Sequence, residues 1–177
     1  MDLIEIFQTR RSIRSFIDKP VEKEKIRKLL GCLQYLPSSR SIFPTEFIVI
    51  DDKEILIKLA DCRDHGASLL EHAPVAIVVL ANAQKSDVWI EDSAIASTFL
   101  LLSTVELGLG ACWVQIRKRK KGKISADAII SHMLNIPPDF SILSIIAIGY
   151  VDENYIKPKS KFFSLDKIYF NHYNSKL

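Results

Sequence analysis

The sequence predicts an α+β fold in which helices pack in layers on a sheet of about four or five strands. Three observations carry that expectation. Residues 75–80 form an uninterrupted apolar run rich in branched side chains, as in a central strand buried on both faces. Ala94, Ile95, Ala96, Phe99, Leu100, Leu101, Leu102 and Val105 make a long helix that is apolar nearly all round before Gly108 stops it. Elsewhere, helical and strand-like segments alternate irregularly along the chain.

The elements follow in order. Asp2 can cap a first helix with Leu3, Ile6 and Phe7 on one side, and this helix runs into a basic cluster from Arg10 to Arg14. Pro20 opens a second helix whose Ile26, Leu29, Leu30 and Leu33 follow helical spacing; Pro37 marks its end. A polar loop over 38–41 leads through Pro44 to a short strand, Phe47, Ile48, Val49 and Ile50. Residues 55–59 and 67–70 have helical spacing, the latter ending at Pro74. Asp92 or Ser93 can cap the long helix, and its lack of a polar face fits either complete burial or a dimer interface. Residues 111–116 form a strand, Ser125 caps a helix through Met133, Pro137 and Pro138 break the chain, and 142–150 form a further strand. The last segment, with Phe163, Tyr169, Phe170 and Tyr173, is apolar enough that it must dock on its own domain or on a partner.

Composition excludes several classes. A length of 177 residues suits one domain, 1–177, and with 48% apolar and 25% charged residues there is no compositional case for disorder. No apolar run reaches the roughly 18 residues of a membrane span, and acidic Asp2 and Glu5 argue against a secretory signal, so a cytoplasmic protein is expected. Cys32, Cys62 and Cys112 are an odd set without paired spacing, as for reduced thiols. His65, His72, His132 and His172 are scattered, and no metal site is expected. The net charge of +3 conceals a concentration of cations: Arg117, Lys118, Arg119, Lys120, Lys121 and Lys123 flank Gly122, and the remainder of the chain is slightly acidic.

Nucleophile elbows, phosphate-binding P-loops and zinc-protease motifs are missing, and the Gly108-Leu109-Gly110 turn follows a helix and precedes a strand, the reverse of a dinucleotide fingerprint. The notable cluster is Arg10, Arg11, Ser12 and Arg14. Guanidinium forks and a hydroxyl within five residues can satisfy a dianionic phosphate, although such runs are more often solvated surface.

Arg-Arg-Ser-Ile-Arg-Ser-Phe, residues 10–16, resembles the opening motif of the FMN-dependent nitroreductase family. Pro37-Ser38-Ser39-Arg40-Ser41 followed by Pro44 resembles its second flavin segment, residues 89–113 its central helix, Gly-Leu-Gly turn and Trp-bearing strand, and Ile148-Gly149-Tyr150 its final core strand. The resemblance runs in order over nearly the whole chain. It implies a three-layer α/β/α sandwich on a mostly antiparallel sheet, with the long helix at the interface of a homodimer and FMN sites lined by both subunits. Arg10, Arg11, Ser12 and Arg14 of one subunit would then hold phosphate and ribityl oxygens, and Pro37, Ser38, Ser39, Arg40 and Ser41 of the other would border the ring. Trp113, Val114 and Gln115 would offer backbone N–H near flavin N5, Lys159 and Lys161 would reach the phosphate, and the tail 162–177 would dock on the partner.

The chain departs from the family pattern in places. Ser41 stands where Asn is usual, Phe43 and Thr45 where Gln and Trp are usual, and the final basic pair lacks its Arg. The implied activity is hydride transfer from NAD(P)H through flavin N5 to a nitroaromatic or quinone, with no protein acid or base, so no catalytic residue is assigned. The rival readings are an FMN storage or sensing protein without turnover and, more weakly, a nucleic-acid-binding module built on residues 117–123.

Overall fold

The computed structural model describes residues 1–152, 154 and 163–175. Its elements in chain order are α1 (Leu3–Thr9), α2 (Lys23–Gly31), β1 (Thr45–Ile50), α3 (Lys53–Ala60), β2 (Val75–Asn82), α4 (Trp89–Glu106), β3 (Gly110–Gln115), β4 (Lys120–Lys121), β5 (Ile124–Ser125), α5 (Ala126–Leu134) and β6 (Phe140–Gly149). The main sheet has the order β1-β2-β6-β3 and is antiparallel throughout, while β4 and β5 form a separate hairpin.

The period of two in β2 builds both cores. Ala76, Val78 and Leu80 face Leu56 and Leu59 of α3, Leu70, and Ile130 of α5. Val75, Ile77 and Val79 face Leu29 of α2 and Ala96 and Leu100 of α4. The sheet is thus the middle of three layers, and every residue of β2 is buried, as the continuous apolar run requires.

Local chemistry accounts for most boundaries. Asp2 and Glu5 form a reciprocal capping box at α1. Asp52 caps α3 and Ser125 caps α5. The last turn of α4 is closed by Lys25, whose Nζ donates to the Leu107 carbonyl at 2.8 Å.

Several expectations need correction. The second helix starts at Lys23 rather than Pro20 and ends at Gly31, where a 3₁₀ turn over Cys32–Tyr35 takes over. Of residues 67–70, all but the flanking Ala67 belong to a 3₁₀ turn, Ser68–His72. The long helix starts at Trp89, a turn ahead of Asp92 and Ser93, and no side chain caps it. Both residues face inward because tertiary partners, and not the helix's own amides, satisfy them. The face of α4 against the sheet mixes apolar Ala96 and Leu100 with small polar groups: Ser97 donates to the Ser93 carbonyl at 2.8 Å and lies 2.9 Å from the Ser144 hydroxyl. Ile95 remains 39% exposed, and Phe99 and Leu102 line a groove with Leu3 and Ile6 of α1, about 450 Å³ in volume. Among the described residues, the side of α4 turned from the sheet is therefore only partly covered, with an apolar groove left open beside α1.

After α1 the chain laces across the sheet's end. Ser12 bridges to Ala111 and Phe16 to Val151, with Ile13 N–H donating to the Ala111 carbonyl at 3.0 Å and Ile17 N–H to Tyr150 at 3.1 Å. Two glycines permit the crossing. A Cβ on Gly110 would meet Ile13 Cγ1 and Val151 Cγ2 at 2.8 Å, and one on Gly149 would meet Pro74 Cδ at 2.6 Å.

Candidate active site

The lacing fixes where the basic cluster lies. Arg10 and Ser12 border the start of β3, and Arg14 follows on the same extended segment, with its guanidinium donating to the Ser12 carbonyl at 3.3 Å. Arg11 turns back instead, donating to the Gln8 carbonyl at 2.7 Å and so closing α1. Beyond Arg14 the segment borders an open cleft of about 880 Å³ in which Arg14, Lys23 and Lys53 are balanced by Asp18, Asp51 and Asp152. The unbalanced positive charge lies on the β3 side.

Strand β3 is the sheet's edge, and its outer side is readable from two bonds. The carbonyls of Ala111 and Gln115 both face away from β6, the first taken by Ile13 N–H and the second by Arg63, which donates at 2.6 Å. Alternation then turns the backbone of Trp113 outward too and that of Val114 toward β6. Trp113 and Gln115 accordingly present edge amides with no backbone partner among the described residues. The Val114 side chain is fully buried in the core. The Trp113 indole donates to Gln115 Oε1 at 2.8 Å, and Gln115 Nε2 donates to the Arg117 carbonyl at 3.0 Å, which locks both side chains.

Arg63 is the residue that sequence reasoning missed. It sits in the turn after α3, holds the carbonyls of Gln115 and Gly66, and keeps a buried Nε with no hydrogen-bond partner. Burial pushes its guanidinium below the usual range. Burial also pushes the Cys112 thiol up, opposed by the positive field of Arg14, Arg63 and Arg10. Residues half a hundred positions apart in sequence thus act on one thiol inside β3. No motif surrounds Arg63, so nothing in the sequence could have singled it out.

The serine loop is held from α4. Ser38 donates to Asp92 Oδ2 at 2.8 Å, Ser39 N–H donates to Asp92 Oδ1 at 3.2 Å, and Phe43 N–H donates to Ser38 Oγ at 2.9 Å. Within this latch Arg40, Ser41 and Phe43 all adopt left-handed backbone, at φ 52°, 53° and 50°. Three such non-glycine residues persist only where surrounding contacts hold them. Arg40 pairs with Asp87, while Pro37 and Ser41 are exposed. The loop lies at the N-terminal part of α4 and the basic segment beside β3, so one subunit presents them as separate surfaces. Lys159 and Lys161 lie outside the described residues.

The family comparison agrees with this architecture. The model of the nitroreductase family matches residues 7–65 and 61–150. A solved structure of an FMN-dependent nitroreductase from Clostridium difficile R20291 superposes with a TM-score of 0.92 at 43% identity, covering 97% of this chain and 100% of that one. A Methanothermobacter thermautotrophicus protein, whose name couples NADH dehydrogenase with NAD(P)H nitroreductase, is 35% identical over 160 residues, 87% of this chain and 80% of its own length. An FMN reductase [NAD(P)H] of Bacillus subtilis is 29% identical over 91 residues, 51% of this chain and 36% of its own. The chain belongs to the nitroreductase family.

Proposed function

We propose that the protein is an NAD(P)H-dependent flavin oxidoreductase that holds FMN at the outer edge of β3 and reduces a small nitroaromatic or quinone acceptor. The observation that carries this reading is a set of donors gathered at one edge: the amides of Trp113 and Gln115 and, beside them, the guanidinium groups of Arg10 and Arg14, which have no carboxylate partner among the described residues. Such a set suits an acceptor-rich ligand with a phosphate at one end. The names of the relatives point the same way.

On this reading Arg10, Ser12 and Arg14 bind phosphate and ribityl oxygens, and the amides of Trp113 and Gln115 hold the ring edge. Val114, whose own amide faces β6, contributes only by packing. Pro37, Ser38, Ser39 and Ser41 reach the ring from a second subunit, because they occupy a different surface from the basic segment. Bound FMN supplies the hydride chemistry, and the protein's part is to orient it and to hold fixed donors where charge develops. No side chain is required as a proton donor or acceptor.

The test is spectroscopic first. The purified protein should be yellow, with a band at about 450 nm where oxidised flavins absorb, and should oxidise NADH or NADPH steadily once menadione or nitrofurazone is added. A colourless protein that takes up no FMN overturns the reading. A yellow protein without turnover turns it into flavin storage or sensing.

A further inference from the structure

The basic run 117–123 remains unexplained by the flavin site, and the structure gives it a form. It is the β4–β5 hairpin with its lead-in, pinned at several points. Arg119 N–H donates to Ile116 and Ala126 N–H to Arg119, both at 2.9 Å; Asp64 N–H donates to the Lys120 carbonyl at 3.0 Å, and Gly122 N–H to Asp64 Oδ1 at 2.9 Å. Lys121 pairs with Asp61. Lys118 and Gly122 are both left-handed, at φ 58° and 57°. Among the described residues, Arg117, Lys118, Arg119, Lys120 and Lys123 have no carboxylate within ion-pair distance. All but the half-buried Arg117 are exposed.

The backbone of a solvated charge run needs no such fastening. Here two aspartates from the turn after α3 hold a set of mutually repelling cations on a fixed scaffold, which lowers the ordering cost of binding an anion. The scaffold begins immediately past Gln115, whose side chain holds the Arg117 carbonyl. Two kinds of large partner fit poorly. A protein interface buries about 800 Å² on each side around apolar anchors, and the hairpin offers Ile124 alone, 59% exposed. Single-stranded nucleic acid needs stacking aromatics, and residues 117–125 contain none.

We infer that the β4–β5 hairpin recognises the 2′-phosphate of NADPH and makes that dinucleotide, rather than NADH, the preferred reductant. This rests on the reading that β3 borders the flavin. The two dinucleotides differ by one phosphate monoester, a charge of roughly −1.5 to −2 at neutral pH, and that is the feature exposed Lys and Arg ends can read. Lys118, Arg119, Lys120 and Lys123 are the recognising groups.

The holoenzyme should show a higher kcat/KM with NADPH than with NADH at low ionic strength, and the preference should shrink as salt is added. Replacing Lys118→Gln, Lys120→Gln and Lys123→Gln together should lower the NADPH-to-NADH ratio of kcat/KM by about tenfold, on the scale of lost charge-assisted contacts. Calorimetry with 2′,5′-ADP needs no flavin, so it separates this inference from the flavin reading: the wild type should bind it more tightly than 5′-AMP, and the triple variant should lose the difference. If the triple variant melts early, Lys118→Gln alone should give a smaller change of the same sign. A wild-type preference for NADH, an unmoved ratio, or equal binding of 2′,5′-ADP and 5′-AMP overturns the inference. So does a short DNA duplex that binds the wild type more tightly than 2′,5′-ADP and loses binding in the triple variant.

Discussion

Asp92 does two jobs that its position in sequence conceals. It sits one turn inside α4 with its carboxylate buried, and both oxygens are taken by the serine loop. Asp92→Ala leaves the Ser38 hydroxyl and the Ser39 amide without their partner, a loss of about 1–3 kcal/mol, and frees Arg40, Ser41 and Phe43 from their left-handed conformations. FMN affinity, read by quenching of flavin fluorescence, should fall about tenfold, with Asp92→Asn intermediate because it keeps one acceptor. Unchanged affinity in Asp92→Ala would separate the loop from flavin binding. Cys62 gives a second residue-scale prediction. Burial pushes its thiol up to about 11, whereas in the unfolded chain it ionises near the ordinary value of about 8.5. The fold therefore favours the protonated thiol, and this contribution is complete below about pH 8.5 and is lost as pH rises through about 11. Urea midpoints measured across that window should decline, and the decline should be shallower in Cys62→Ala. Equal slopes would remove Cys62 as the cause.

At the scale of elements, the lacing of residues 12–17 over the sheet's end joins fold to site. Its closeness depends on Gly110, and Gly110→Ala drives a methyl group against Ile13 and Val151. The core away from this crossing is untouched, so the expected stability loss is about 1–3 kcal/mol, as for overpacking elsewhere. The basic segment is displaced, and FMN binding should weaken more than thermal stability falls. A variant that binds FMN normally would show that Arg10, Ser12 and Arg14 are placed by something other than the β3 crossing. The β3 edge shows how far sequence reasoning reaches. Trp113 and Gln115 were legible as strand residues, but which amides face outward is set by pairing with β6, and parity turns Val114 away.

For the whole molecule, the apolar groove between α1 and α4 matters most. Leu3, Ile6, Phe99 and Leu102 line it, and Met1, Ile4, Phe7 and Ile95 are exposed as well. In the tail, Phe163, Leu165, Ile168, Phe170 and Tyr173 are exposed, which suits the proposal that it docks on a second subunit. Sedimentation should give a dimer, and Leu102→Glu, which sets a charge in the apolar groove, should yield monomer with FMN affinity reduced at least about tenfold. A Leu102→Glu dimer with full affinity would place the subunit contact elsewhere.

The amino-acid sequence alone determined the layered α+β class, the buried strand β2, the caps at Asp2 and Ser125, the basic cluster and the family resemblance. These rest on local periodicity, side-chain hydrogen bonds within one turn, and motif order, all of which are short-range. The tertiary structure decided what depends on contacts between distant segments. It turned Asp92 from an expected cap into the anchor of the serine loop, because the nearest unsatisfied donors came from residues 38 and 39. It brought Arg63 to the carbonyl of Gln115, and it folded a run of repelling cations into a hairpin fastened by Asp61 and Asp64. Charge and polarity are written in the chain, but which partner satisfies them is settled only when the sheet's edge, the turn after α3 and the start of α4 are packed together.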